Sequence, residues 1–146
     1  MTTLDDVARL AERERYLCVV ATIRADLTIQ ASVVNAGFMA HPVTGEQVVA
    51  YVTYGRAKLA HLRARPQTTI TFRASWEWAT VEGRADVIGP DDPHDGVDAE
   101  RLRLLLREVF QAAGGTHDDW ETYDRIMREQ RRTAVFVTPE RIYSNG

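Results

Sequence analysis

The sequence predicts an α+β protein in which an antiparallel barrel of six or seven strands carries helices inserted between the strands. Three observations predict this fold. Short runs rich in valine, isoleucine and threonine follow one another in meander order, and segments with helical apolar spacing interrupt that order. No internal repeat, low-complexity tract or linker divides residues 1–146, so one domain with its own core is expected.

The first half of the chain is predicted to form one helix followed by three strands. Asp5 or Asp6 is the predicted cap of a helix that runs to about Arg15, with apolar side chains at i, i+3 and i+4. Asn35 interrupts the apolar character of the second strand, and a turn is expected over residues 41–45. The runs predicted as strands are 16–24, 28–39 and 47–53.

The second half is predicted to alternate strands and helices. Pro66 should stop a short helix that begins at Lys58, because proline cannot continue a helical ladder. Two apolar-striped helices should follow a polar loop over residues 89–96, and Pro139 should separate two closing strands. The helices are predicted at 58–65, 98–113 and 118–131, and the strands at 68–73, 77–87, 133–137 and 141–143.

The composition excludes several functional classes. The formal net charge is −3 and the isoelectric point is near 5.8, so no basic surface for nucleic acid is expected. No apolar run is long enough to span a bilayer, and residues 1–6 have no signal-peptide character. Cys18 is the only cysteine, it lies in an apolar run, and no metal-ligand spacing is present. A cytoplasmic protein without a metal site is therefore expected.

Lys58 is the only lysine, so the other 17 of the 18 basic residues are arginines (18 minus one). It follows an apolar strand and stands two residues after Arg56, at the predicted start of a helix. A helix N-terminus offers free backbone N–H groups and partial positive charge, and two cations beside it favour a phosphate. The alternative interpretation is a solvated charged turn.

Three segments resemble a known family: residues 30–38, residues 53–66 with the Arg-x-Lys sequence, and residues 117–123 followed by Met127 and Arg131–Arg132. The chain resembles the pyridoxamine-phosphate-oxidase-like superfamily of split β-barrel flavin and deazaflavin oxidoreductases. Within it, the chain is most similar to the actinobacterial branch that uses coenzyme F420. The resemblance implies a six- to seven-stranded antiparallel split β-barrel (the FMN-binding split barrel) with peripheral helices.

The resemblance also implies a homodimer with coenzyme F420, or alternatively FMN, at the subunit interface. Arg56 and Lys58 would hold the cofactor phosphate, helped by the backbone of Ala57 and the hydroxyl of Thr53. The segment expected beside the tricyclic ring is Ser32, Val33, Val34 and Asn35. Trp76 and Trp78 would point to one face of a strand and cover the ring or substrate from the partner subunit. The alternatives are a strand-edge role for Asn35 and packing in the core or dimer interface for the tryptophans.

Further cations would be needed for the acidic tail of F420. The arginines that could supply this charge are Arg63, Arg65, Arg131 and Arg132, although for each one taken alone a solvated surface position is the favoured interpretation. His61 lies one helical turn after Lys58 and could approach the phosphate. Residues 120, 123 and 127 are interpreted as core.

The predicted function is hydride transfer from reduced F420 to a small conjugated or quinone-like acceptor. The alternatives are an FMN-dependent flavin reductase or oxidase, and a non-catalytic protein that binds a flavin, a deazaflavin or haem. No catalytic residue is assigned, and Tyr51, Tyr54 or water could deliver a proton. The sequence ends without the arginine-bearing segment with which vitamin B6 oxidases bind substrate, so pyridoxamine phosphate is not the expected substrate.

Overall fold

The computed structural model describes residues 1–146, which form four helices and seven strands. In chain order the elements are α1 (Leu4–Arg13), β1 (Leu17–Ile23), β2 (Ile29–Asn35), β3 (Gly37–Ala40), β4 (Gln47–Thr53), α2 (Arg56–Ala64), β5 (Gln67–Ala74), β6 (Glu77–Ile88), α3 (Ala99–Ala112), α4 (Trp120–Glu129) and β7 (Thr133–Ser144). None of the helices has the length and apolar character needed to traverse a bilayer.

All seven strands belong to one antiparallel sheet in the order β2-β1-β5-β6-β7-β4-β3. The two edge strands, β2 and β3, are joined by Ala36 alone. The Cα atoms on either side of that residue can be no more than about 7 Å apart. The sheet must therefore curl until its edges meet at this point, which produces the predicted barrel, closed at one place and split elsewhere.

The predicted continuous strand over residues 28–39 is wrong, because the chain changes partners within it. Up to Asn35 it pairs with β1, and from Gly37 onward it pairs with β4. Between them, the N–H group of the buried Ala36 donates to the carbonyl of Tyr16 at 3.0 Å. Gly37 passes so close to α3 that a Cβ atom there would lie 2.2 Å from the backbone of Ala112.

Two other predicted boundaries are corrected. The cap of α1 is Thr3, whose hydroxyl accepts from the N–H group of Asp6 while the Asp6 carboxylate accepts from that of Thr3. β7 is one strand rather than two, because Pro139 lies opposite Gly83 at a register shift in β6. β4 pairs with β7 only as far as Val137, so the missing N–H group of Pro139 costs no bond to β4.

The core has two layers that share the barrel wall. The larger cluster fills the barrel, and the smaller one lies between that wall and α3. β4 contributes to both, because Val49 and Tyr51 face the interior while Val48 and Ala50 face α3. Cys18, which lies in an apolar run of the sequence, is buried in the larger cluster, and burial raises the pKa of its thiol to about 12.

The contact at Gly37 predicts a large difference between two glycine substitutions. Gly37→Ala should lower the free energy of unfolding by about 3 kcal/mol, because backbone atoms of α3 would have to move. Gly55→Ala is the control, since the new methyl would meet no atom closer than 3.6 Å, and it should cost less than about 1 kcal/mol as a cap substitution. Urea unfolding measures both, and equal costs would contradict the close approach of β3 to α3.

Candidate functional site

A cavity of about 730 Å³ opens where the ends of β2 and β4 meet the first turn of α2. Its far side is formed by the end of α3, the Gly114–Gly115 turn and side chains of α4. The Ala36 joint sets this geometry, because it brings the end of β2 to the same side of the barrel as β3 and β4. The cavity therefore lies at the mouth of the split barrel, between the sheet and the two C-terminal helices.

The lining carries three cations, Arg15, Lys58 and Arg132, and no aspartate or glutamate. The chain contains 21 acidic residues, so their absence from this surface leaves the cavity strongly electropositive. Such a cavity favours an anionic ligand.

Lys58 is half-buried and makes no ion pair or hydrogen bond. Its Nζ atom lies 5.5 Å from the centre of the Tyr51 ring, and burial lowers the pKa of the ammonium group. A partly dehydrated ammonium without a carboxylate is unfavourable in the free protein, and a bound anion would relieve that cost.

The backbone around Lys58 adds to this site. α2 begins at Arg56, two residues before the predicted start, so Arg56, Ala57 and Lys58 form its first turn. Their N–H groups have no acceptor within the protein, and the cap residue Gly55 provides no side chain. The hydroxyl of Thr53 accepts from the N–H group of Gly55 at 3.3 Å, which leaves its own hydrogen free to donate. Free donors and positive charge thus converge at the end of β4.

Arg132 completes the charged wall from the other side. Its guanidinium stacks on the ring of Tyr54 at 3.8 Å from the ring centre, and its Nε atom donates to the Gln130 side chain at 2.9 Å. Burial lowers the pKa of Arg132. Its only polar side-chain partner is neutral, so its charge, like that of Lys58, is available to a ligand.

The structure brings together half of the residues predicted from the sequence. Arg56 and Ala57 are exposed beside the cavity rather than in its lining, and Ser32 is on the opposite side of β2 from Val33. The Asn35 amide donates to the carbonyl of Arg15 at 2.9 Å, which gives it the alternative strand-edge role as well as a place in the lining. The predicted residues that line the cavity are Val33, Val34, Asn35, Thr53 and Lys58.

The prediction that Trp76 lies in a strand beside Trp78 is wrong. Ala74 pairs with Glu77, so Ser75 and Trp76 form the turn between β5 and β6, and Trp76 is 89% exposed. Trp78 is half-buried and packs edge-to-face on another aromatic ring in β7. Neither tryptophan lines the cavity of its own subunit.

Most of the arginines that could have bound an acidic tail are engaged elsewhere. Arg63 binds Asp92 through two hydrogen bonds of 2.8 and 2.6 Å, and Arg131 binds Asp91. Arg65 donates to a backbone carbonyl of β1 at 2.9 Å. Of the four, only Arg132 lines the cavity. His61 is likewise turned away from it, within 3.0 Å of the Thr22 hydroxyl.

The tyrosines near the site differ sharply as candidate proton donors. Tyr51 is fully buried, its hydroxyl has no partner, and burial raises its pKa, so it has no access to a ligand. Tyr54 is exposed in the lining. Tyr123, predicted as core, is buried and donates to the carbonyl of Leu106 at 2.9 Å, yet its ring also forms part of the cavity wall.

Sequence reasoning missed Arg15 and the Gly114–Gly115 turn. Arg15 reaches the cavity because the chain turns sharply after α1, with positive φ angles at Arg15 and Tyr16. Two adjacent glycines directly after a helical run indicate no more than the end of that helix. A Cβ atom at Gly115 would lie 2.5 Å from the Phe110 ring, so the turn is packed directly against the cavity wall.

With this geometry in place, comparison with known proteins identifies the family. The model of the family described as pyridoxamine 5'-phosphate oxidase matches residues 4–145. The chain belongs to this family. No curated protein shows significant similarity to the chain.

Solved structures similar to this member of the pyridoxamine 5'-phosphate oxidase family differ in what they bind. An F420 reductase is 18% identical, with a TM-score of 0.57 over 88% of this chain and 90% of its own. A pyridoxamine 5'-phosphate oxidase-related, FMN-binding protein from Nostoc punctiforme is 14% identical, with a TM-score of 0.61 over 99% and 86%. The haem storage protein HutZ from Vibrio cholerae is 16% identical, with a TM-score of 0.54 over 98% and 94%. At these identities the likeness confirms the predicted split-barrel fold and leaves the ligand open.

The two buried tyrosines behind the cavity should respond oppositely to loss of the hydroxyl. Tyr123→Phe removes a buried hydrogen bond and should lower the free energy of unfolding by about 1 kcal/mol. Tyr51→Phe removes a buried hydroxyl without a partner, so stability should be unchanged or rise by up to about 1 kcal/mol. Denaturant unfolding of both variants measures the difference, and a destabilised Tyr51→Phe protein would show that this hydroxyl has a partner in solution.

Proposed function

We propose that the chain is an F420H2-dependent oxidoreductase that transfers a hydride from reduced F420 to a small conjugated or quinone-like acceptor. One observation carries this proposal: the only charged side chains in the cavity lining are cations. Among them, half-buried Lys58 lies without a counter-ion beside the free N–H groups of α2. Membership of a family with flavin- and deazaflavin-binding folds supports a redox cofactor as the anionic ligand.

When bound, the cofactor supplies the hydride chemistry, and the protein supplies position and electrostatics. Lys58 and the N–H groups of the first turn of α2 would hold the phosphate, with Arg56 close by at the rim. Thr53 can donate its hydroxyl hydrogen to the phosphate or the adjoining chain. Val33 and Val34 would contact the flat ring from β2. Phe110 of α3 would provide apolar surface on the opposite wall of the cavity. No side chain in the lining is assigned as a proton donor.

The number of cations favours F420 over FMN. FMN has one phosphate, for which Lys58 and the helix N-terminus would suffice, whereas F420 carries a phosphodiester and an acidic tail. Arg15 and Arg132 supply the additional positive charge, and neither is paired with a carboxylate. An FMN-dependent reductase or oxidase is the second candidate, supported by the FMN-binding neighbour. A haem bound through histidine is disfavoured, because no histidine lines the cavity.

The proposal includes a homodimer with the cavity at its interface. β1 and β2 present an apolar surface, since Leu17, Val19, Ile29 and Val33 are each 44–66% exposed and lie on one side of the sheet. A contiguous exposed apolar face of this kind marks an interaction surface. Val33 belongs both to this face and to the cavity lining, so a second copy bound here would border the cofactor. The cytoplasmic location expected from the sequence remains a prediction.

Cofactor titration tests the proposed function. Purified protein should bind F420 in the low micromolar range or tighter, and more tightly than FMN, when the fluorescence of each cofactor is followed. Lys58→Ala should weaken F420 binding about 10- to 100-fold, because it removes a charge-assisted contact with the phosphate.

Arg9→Ala is the matched control for the change in net charge, since Arg9 is exposed on α1 and pairs only with a neighbouring aspartate. It should leave the dissociation constant unchanged. If the protein binds FMN in the micromolar range and does not bind F420, the FMN-dependent function replaces the leading proposal. If Lys58→Ala leaves the dissociation constant of F420 unchanged, the proposed phosphate site is wrong.

The dimer is tested by the mass of the protein in solution. Light scattering should give twice the 16.5 kDa chain mass. Val19→Glu places a charge in the middle of the apolar face and should shift the mass towards one chain. Leu104→Glu changes an exposed leucine on α3, outside that face, and should leave the dimer intact. A wild-type monomer, or equal effects of the two substitutions, would contradict this interface.

A further inference from the structure

A second cavity of about 720 Å³ lies beside the first, between the loop of residues 89–97, the start of α3 and the end of α4. The two cavities share only Met127 and Arg132. Lys58, Thr53 and the β2 segment, which carry the proposed cofactor site, do not line the second one. Most of its lining is therefore separate from the proposed cofactor site, and Arg132 borders both cavities.

The second cavity has an apolar floor. Leu102 and Leu106 of α3 and Met127 of α4 face it, and Pro90 and Val97 of the loop add apolar surface. Leu106 is buried beneath the cavity, and Leu102 and Met127 pack against the same small core cluster. A surface of this kind suits a flat hydrocarbon ring more than a sugar or a polar peptide.

Each carboxylate that lines this cavity already has a partner, and for Asp124 and Glu100 that partner is an arginine. Asp124 accepts from Arg107 at 2.9 Å and from Arg103 at 2.8 Å, and these hydrogen bonds hold its pKa below the ordinary value. Glu100 is paired with Arg103 at 3.0 Å. Asp98 caps α3 by accepting from a backbone N–H group at 2.7 Å. Asp98 keeps its charge, and none of the three carboxylates pairs with the remaining arginines, Arg128 and Arg132.

The remaining positive charge is on α4 and just after it. Arg131 is paired with Asp91 outside the lining. Arg128 makes no ion pair and no side-chain hydrogen bond, and Arg132 has only the neutral Gln130 amide as a polar side-chain partner. Two uncompensated guanidinium groups thus border an apolar floor. Guanidinium groups bind carboxylates through paired hydrogen bonds.

We propose that the second cavity binds a flat organic carboxylate beside the ligand of the first cavity. The ring of the ligand would rest on Leu102, Leu106 and Met127, and its carboxylate would be bound by Arg128 and Arg132. This proposal goes beyond the proposed function, because it concerns a separate ligand and requires no redox step.

Binding of 2-naphthoate, with the uncharged 2-naphthalenemethanol as comparison, tests the proposal by isothermal titration calorimetry. The wild-type protein should bind the acid at least about 10-fold more tightly than the alcohol, since only the acid pairs with the guanidinium groups. Arg128→Gln should remove most of that preference while leaving the affinity for the alcohol unchanged.

Arg125→Gln is the matched control, because Arg125 is on the same helix, lines neither large cavity and is only loosely paired with Glu129 at 3.9 Å. It should leave naphthoate binding unchanged, as should Lys58→Ala. Equal binding of acid and alcohol, equal effects of the two arginine substitutions, or loss of naphthoate binding in Lys58→Ala would each overturn the proposal. Failure of F420 to bind would not overturn this proposal, so the proposed function and the second ligand site are tested separately.

Discussion

The one-residue connection at Ala36 is the constraint on which the rest of the structure depends. Because it joins the two edge strands, the sheet can satisfy it only by curling, and the curled sheet encloses the larger core cluster. The same joint directs the end of β2 towards β4 and presses Gly37 against the end of α3. The cavity wall is therefore a consequence of barrel closure, since its parts come from segments that are far apart in the sequence.

Closure also explains where positive charge can remain unpaired. α2 starts directly after β4, so its free N–H groups and Lys58 are turned towards the mouth of the barrel, where the lining offers no carboxylate. A half-buried ammonium without a counter-ion lowers the stability of the folded protein. Three nearby arginines are different, because each pairs with a carboxylate or a carbonyl: Arg63, Arg65 and Arg131. An unpaired, partly buried charge in a protein whose buried charges are generally paired is characteristic of a functional site.

The sequence was informative wherever local chemistry decides the structure. The β4 boundaries at residues 47–53 were predicted correctly, because apolar residues on both faces of a strand leave a continuous signal. Contacts between distant segments left no such signal. Nothing in residues 28–39 shows a change of strand partner, and the tolerance of β7 for Pro139 depends on Gly83, 56 positions earlier (139 minus 83). Arg131 and Arg132 are adjacent and identical, yet only the former meets Asp91.

Val33 links the site to the proposed assembly. It is 66% exposed and also lines the cavity, so water reaches the cavity on this side. A second copy covering β1 and β2 would exclude that water. Electrostatic attraction between Lys58 and an anionic ligand increases as the surroundings become less polar. Dimerisation and cofactor affinity should therefore be coupled through this one strand, although the cations themselves lie on other elements.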